Sequence, residues 1–412
     1  MKRRHLLAAV PLAALPLAAL AACDPSTTEP SAAPASPVED PTPVLRGERA
    51  EVVAPETLRL PLEMTPMIVV DPGWAATPRQ LDGIFLGYAD DGAQLTYRAV
   101  DQDGTVLWDA ARPRSCTGFV LTRGADDRPV AVLADLDPDS LDTMTLTGYD
   151  LRTAEQLWGP LDAVGPLVGE GLVLASSQDA PMGPGGPREV LSGADGGVLH
   201  REEEGQQVRL LAEHLGTVLQ TAGDQLMALS PEGEEQWSIP VPAGLDAAEL
   251  RVRGRIDPAT SIAVLTGADG ADGDEGDEGH GVVLDLHDGT VVAEEATAAA
   301  RDHVLETTVV AAGTLVRGLD SEGAEQWRHE DPEPLTLVSA GERLAYAQRE
   351  QEGTLVVLDT GQGRMVNPYD VDLSGPLAVP EVFTAESAAA VRVEDSRYLV
   401  TSEFDPEFGL RE

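Results

Sequence analysis

From about residue 57 onward the chain is written in short apolar runs bounded by Gly, Asp and Pro, and no amphipathic helical period of any length competes with them. Thr217 Val218 Leu219 Gln220 precedes Gln225 Leu226 Met227 Ala228 Leu229, and Thr308 Val309 Val310 Ala311 precedes Thr314 Leu315 Val316. Runs of this length and spacing predict an all-β chain of many short strands joined by tight turns. Sheets packed face to face would bury the Val, Leu and Ala positions.

One phrase recurs among these runs. Ala99 Val100 Asp101 Gln102 Asp103 Gly104 Thr105 Val106 Leu107 Trp108 returns as Ala228 to Trp237 and again as Gly318 to Trp327. It reads as a hairpin: an apolar strand ends at Asp or Ser, a polar loop places Gly where φ is positive, and a second strand closes on Trp. Four further copies, each with a loop one residue longer, start at Asp150, Ser192, Asp285 and Asp359. The seven markers 101, 150, 192, 230, 285, 320 and 359 are spaced by 43 residues on average, the length of a four-stranded propeller blade. The longest step, 55, contains the Gly and acid insertion Gly267 to Gly281, which reads as a solvated loop.

One more step of 43 from Asp359 reaches 402, where Arg397 Tyr398 Leu399 Val400 Thr401 ends at Ser402. Eight blades are therefore expected, seven being the alternative. The eighth unit lacks an outer strand of its own, and Thr57 Leu58 Arg59 Leu60 Pro61 Leu62 Glu63 is expected to supply it, closing the ring without an open sheet edge.

The pattern of small residue, Leu, Asp, Gly-bearing loop and Trp resembles the pyrroloquinoline-quinone-like (quinoprotein-like) β-propeller repeat, over roughly residues 57 to 404. The resemblance implies that Trp108, Trp158, Trp237 and Trp327 dock between blades. His200, Ala293 and Asn367 stand at the same place in the other three copies, where looser blades are expected. It also implies what a quinone-dependent dehydrogenase would carry: adjacent cysteines, a calcium held by Glu, Asn and Asp, and an Asp base. No adjacent cysteines occur, and Asn367, the one asparagine, lies inside a repeat. The same family includes a non-catalytic lipoprotein, and non-catalytic binding is the expectation here.

The amino terminus adds a location. Lys2, Arg3 and Arg4 precede an apolar stretch from Leu6 to Leu20, interrupted by Pro11 and Pro16, and then Leu20 Ala21 Ala22 Cys23. This is a secretory signal, too short and too broken for a comfortable membrane span. It resembles the bacterial lipoprotein signal, which implies that the Cys23 thiol is acylated and anchors the chain to the membrane. The expected division is a signal at 1–22, a Pro/Ser/Thr/Ala-rich tether at 23–52 and a propeller at 53–412. With Cys23 lipidated, Cys116 has no disulfide partner and is expected as a small buried residue at the start of strand 117–121.

Of 412 residues 71 are acidic and 28 basic, a net charge of −43 that removal of the signal deepens. Such a surface excludes nucleic acid as a partner. The heavy use of Ala, Gly, Val, Asp and Arg with a single lysine points to a GC-rich, actinobacterial genome, adaptation to salt being the alternative.

Candidate chemistry is thin. Asp135, Asp137, Asp139 and Asp142 alternate as in calcium loops, but Ser140 and Leu146 stand where the EF-hand needs Gly and Glu, so an acidic hairpin loop is expected. The acids from Asp269 to Glu278 read as a solvated loop, and the histidines are scattered. No catalytic residue, cofactor or metal is expected. The reading is a monomeric, lipid-anchored, extracytoplasmic propeller that presents a rigid face to an envelope protein or small ligand. The alternatives are a quinone-dependent oxidoreductase and a solute or sugar sensor.

Overall fold

The computed structural model describes residues 38, 40–54, 57–137, 140–176, 186–203, 205–267 and 281–408, with side chains 137 and 140–142 excepted. The signal sequence, Cys23 and most of the acidic insertion lie outside these residues.

Eight antiparallel sheets follow one another along the chain. They form an eight-bladed β-propeller. Blade 1 is Arg79–Leu81, Ile84–Asp90, Leu95–Asp101 and Val106–Arg112. Blade 2 is Phe119–Arg123, Pro129–Asp137, Ser140–Asp150 and Gln156–Asp162. Blade 3 has Val173–Ala175, Arg188–Leu191 and Val198–Arg201, with its innermost strand reduced to the bridge Leu167 to Leu174. Blade 4 is Val208–His214, Thr217–Ala222, Gln225–Leu229 and Glu235–Pro240. Blade 5 is Arg251–Arg253, Ile262–Thr266, Gly281–Asp285 and Val291–Ala296. Blade 6 is Ala298–Asp302, Thr307–Ala312, Leu315–Leu319 and Glu325–Glu330. Blade 7 has Leu335–Gly341, Leu344–Arg349 and Leu355–Asp359, with Met365 bridging Leu358 at the outer edge. Blade 8 takes Val379–Phe383, Ala389–Val393 and Ser396–Phe404 from the carboxyl end.

The ring closes through both chain ends, but not with the strand the sequence pointed to. Met67–Trp74 pairs antiparallel with Ser396–Phe404 as the outer strand of blade 8. Residues 57–63 instead make single bridges, Arg59 to Leu377 and Pro61 to Tyr369. They bury Leu58 and Leu60 in the core of blades 7 and 8 rather than extending a sheet. Pro61 has no N–H to give a ladder, which is why Leu58 and Leu60 pack into the core while the segment pairs only at single bridges.

The segment expected as tether also ends earlier than residue 52. Val44–Leu45 pairs with Val106–Arg112 as a fifth strand of blade 1, and Glu51–Val53 pairs with Met67–Trp74 as a fifth strand of blade 8. Arg112, with its side chain 1 % exposed, donates to the Pro41 carbonyl at 2.6 Å and to the Tyr149 hydroxyl of blade 2 at 3.2 Å. Fixed contacts thus begin at Pro41. Among the described residues no helix is long and apolar enough to cross a membrane.

The core sits between the blades. Leu81, Ile84, Leu86 and Tyr97 of blade 1 pack with Phe119, Ala131 and Leu133 of blade 2, and equivalent clusters recur around the ring. Each sheet therefore buries both faces of its inner strands, which is why those strands read as continuous apolar runs rather than strict alternation.

Candidate functional site

The innermost strands of all eight blades line a central channel, which encloses a cavity of about 650 Å³. This is the size range of small-molecule sites. Its apolar lining includes Ile262 and Val264 of blade 5, Leu335 and Leu337 of blade 7 and Phe383 of blade 8. Charged groups line it too: Arg253, Arg255 and Asp257 from blade 5, and Arg79, Glu170, Glu213, Arg301 and Glu381 from one blade each.

The connection between the first two strands of blade 5, Gly254 to Ser261, is the longest such turn in the ring and crosses the channel. Asp257 organises it by accepting the Ala259 N–H on its side chain at 3.1 Å and the Ser261 N–H on its carbonyl at 2.9 Å. Ile256 is buried beneath. From this loop the Arg255 guanidinium donates to the Thr77 carbonyl at 3.2 Å and the Pro78 carbonyl at 3.3 Å, on the diametrically opposite blade 1. Gln80 of blade 1 returns a long contact of 3.4 Å to Asp257. Burial among the channel walls, and then the neighbouring Arg79, hold the Arg255 pKa below its ordinary value.

Most of the channel carboxylates already have partners. Arg79 pairs with Glu170 at 2.5 Å. Glu381 receives Arg392 at 2.8 Å and Arg397 at 3.3 Å, along with the Thr77 hydroxyl at 2.7 Å. Glu213 is fully enclosed, accepting from the Thr122 hydroxyl at 2.5 Å, the Gly216 N–H at 2.6 Å and the Leu172 N–H at 3.0 Å, so one carboxyl staples blades 2, 3 and 4. Burial pushes its pKa up despite those donors. Gly171 faces its backbone so closely that a Cβ there would lie 1.9 Å from the Glu213 carbonyl oxygen.

The four tryptophans sit on outer strands and reach the next blade in the same way. The indole N–H of Trp108 donates to the Leu151 carbonyl at 2.8 Å, Trp158 to Gly193 at 2.9 Å, Trp237 to Leu286 at 2.8 Å and Trp327 to Thr360 at 2.6 Å. Each is buried, 9 % exposed or less. Trp74, which the repeat did not single out, is buried at the closing junction, against Phe85 and Gly87 of blade 1. Cys116 is buried with its thiol pKa pushed up to about 11 by that burial. Asp135 pairs loosely with Arg112 at 3.6 Å, while the side chains of Asp137, Asp139 and Asp142 and the acidic insertion lie outside the described residues. Among the described residues no group of three or more His, Cys, Asp or Glu is placed to hold a metal ion.

The sequence reading missed the channel arginines. Their signal was weak but present: Arg251, Arg253 and Arg255 fall within five residues of a chain that is otherwise strongly acidic.

No family model matches the chain, and no curated protein matches it. Solved structures similar to it include BamB from Moraxella catarrhalis, 14 % identical with a TM-score of 0.39, covering 86 % of this chain and 97 % of that one. Sqt1 from Saccharomyces cerevisiae is 8 % identical, TM-score 0.37, over 88 % and 98 %. A quinohemoprotein alcohol dehydrogenase from Pseudomonas putida HK5 is 11 % identical, TM-score 0.39, over 85 % and 74 %. The propeller itself rests on the pairing of the eight sheets.

Proposed function

We propose that this chain is a lipid-anchored, extracytoplasmic, non-catalytic propeller that serves as a protein-binding scaffold in the cell envelope. The location rests on the Leu20 Ala21 Ala22 Cys23 signal. The binding role rests on one observation: large apolar side chains stand exposed where the two chain ends close the ring. Leu62, Met365 and Val371 are 52 %, 53 % and 75 % exposed beside blade 7, and Phe404 and Phe408 are 60 % and 47 % exposed at the end of blade 8. The two rings meet edge to face at 6.0 Å. Exposed aromatic clusters on a rigid frame are the usual anchors of protein interfaces.

The test is site-specific photo-crosslinking in intact cells, with the probe at Phe404 or Leu62 and, as a control, at Glu322 on the exposed hairpin of blade 6. The expected result is one discrete adduct from the first two positions and none from the third. Equal labelling at all three, or none, overturns the scaffold reading. Membrane fractionation checks the anchor: Cys23→Ser is expected to release the chain or leave it unprocessed, and a wild-type protein found wholly in the soluble fraction refutes it.

A further inference from the structure

In a chain with 71 acidic and 28 basic residues, four guanidiniums, those of Arg79, Arg253, Arg255 and Arg301, line one cavity. Each of the five carboxylates beside them already has donors of its own. Glu170 is taken by Arg79, Glu381 already receives two arginines from outside the lining, and Glu213 is sealed beneath the wall by three donors. Asp257 is occupied within its own turn, and Glu350 accepts from Thr336 at 3.1 Å near the rim. Among the described residues Arg253, Arg255 and Arg301 have no ion-pair partner; Arg255 has only two long contacts to carbonyls. A guanidinium presents a planar fork of donors that matches a carboxylate or a sulfonate. The same cavity is lined by Ile262, Val264, Leu335, Leu337 and Phe383.

We infer that the channel is a binding site for an amphipathic organic anion, whose acidic group meets Arg255, Arg301 and Arg253 while its apolar body lies against the wall of blades 5, 7 and 8. The loop Gly254 to Ser261, braced on blade 1 through Thr77 and Pro78, forms the site's floor. This site lies inside the ring, away from the exposed aromatics at the chain ends, and does not depend on a protein partner.

The experiment is an equilibrium fluorescence titration of the purified full chain with two probes that share an apolar body: 1-anilinonaphthalene-8-sulfonate, which carries the anion, and N-phenyl-1-naphthylamine, which does not. The expected result is one saturable sulfonate site per chain, weakened by added salt, with the uncharged probe binding more weakly. Arg255→Gln and Arg301→Gln are each expected to weaken the sulfonate probe about tenfold or more, the loss that removing a hydrogen bond to a charged group brings, and to leave the uncharged probe unchanged. Arg328→Gln, on an exposed outer strand, is expected to change neither. Arg301 lies on blade 6, outside the bracing loop, so Arg301→Gln tests the idea even if Arg255→Gln fails to fold. Equal affinity for both probes, or sulfonate binding that survives both channel substitutions, overturns the inference.

Discussion

At four junctions of this ring the repeat's own tryptophan is wedged between blades, while the junctions between blades 3 and 4 and between blades 5 and 6 have none, and three features change together between the two kinds. Where Trp is present, the residue across from it on the neighbouring strand is small: Ala99 opposite Trp108, Gly148 opposite Trp158, Ala228 opposite Trp237 and Gly318 opposite Trp327. Where it is absent, Val190 faces His200 and Val283 faces Ala293. The loop on the receiving blade changes as well. Blades 2, 3, 5 and 7 close their loops from residue i+4 back to residue i, as Ala154 to Asp150 and Gly289 to Asp285. Blades 4 and 6, like blade 1, close from i+3, as Gly233 to Ser230 and Gly323 to Asp320. The extra residue turns one carbonyl, that of Leu151, Gly193, Leu286 or Thr360, toward the incoming indole. Loop length is therefore the acceptor half of a device whose donor half lies one blade earlier.

At the blade 3/4 junction His200 occupies the Trp place against a short loop, and its Nε2 is buried with no partner. A buried Trp with a satisfied N–H and a half-buried ring with an orphan nitrogen should differ in cost on removal. We expect Trp327→Ala and Trp108→Ala to lose about 3 to 5 kcal/mol, read by urea unfolding, and His200→Ala to lose less than about 1 kcal/mol. Equal losses at the two kinds of junction would end the distinction.

A histidine at the inner side of the blade 4/5 junction gives the next effect. His214 contacts the Ser261 hydroxyl at 3.0 Å, and burial pushes its pKa down to about 4 from the ordinary 6.5. The unfolded chain takes up the proton first, so this contribution is fully present above pH 6.5 and is lost as pH falls toward 4. Relative to His214→Gln, the wild type is expected to lose at most about 3 kcal/mol across that window. Parallel curves for the two proteins would show that the ring titrates alike in both states and that burial does not shift it.

Filling the space beneath an indole sharpens the comparison from the other side. A Cβ at Gly318 would meet the Trp327 ring at 2.1 Å and one at Gly148 the Trp158 ring at 2.3 Å. Gly318→Ala and Gly148→Ala should each cost about 1 to 3 kcal/mol as the ring shifts, while Val283→Ala, where no indole lies, should cost about 1 kcal/mol or somewhat more as an ordinary core truncation. The informative readout is the tryptophan emission, expected to move red in the glycine variants and to stay in place in Val283→Ala.

These contrasts explain what the sequence could and could not convey. The small residue, the Asp or Ser and the Trp lie within about eleven residues of one another, so the docking hairpin and the blade count were legible as a repeat. Closure was legible in kind, because a carboxyl-terminal unit lacked an outer strand, but the strand was misassigned. Met67–Trp74 carries Pro72 and Gly73, the latter at φ +76°, and pairs with irregular register, so its text looks like a turn. The channel lining was illegible for a different reason: Arg79, Arg255 and Arg301 come from three blades and line one cavity only because the ring brings its innermost strands together.

The smallest effect concerns one loop among the four that receive an indole. Its left-handed position is glycine in three, Gly196, Gly289 and Gly363, but Ala154 in blade 2, at φ +58°. An L-residue in this region costs roughly 1 to 2 kcal/mol because Cβ crowds the following carbonyl. At Gly289 and Gly363 an added Cβ would press on the Trp237 or Trp327 ring at 2.7 and 2.4 Å, so Gly363→Ala is expected to lose both backbone and packing energy. At Ala154 the methyl packs against the cluster that contains Trp108, so removing it relieves backbone strain and gives up a small contact. Ala154→Gly should therefore be about 0.5 to 1 kcal/mol more stable than wild type, seen as a small rise in Tm. A fall would mean that the methyl's contact with the Trp108 cluster outweighs the left-handed backbone, and that the blade 2 loop is matched to alanine as the other three are matched to glycine.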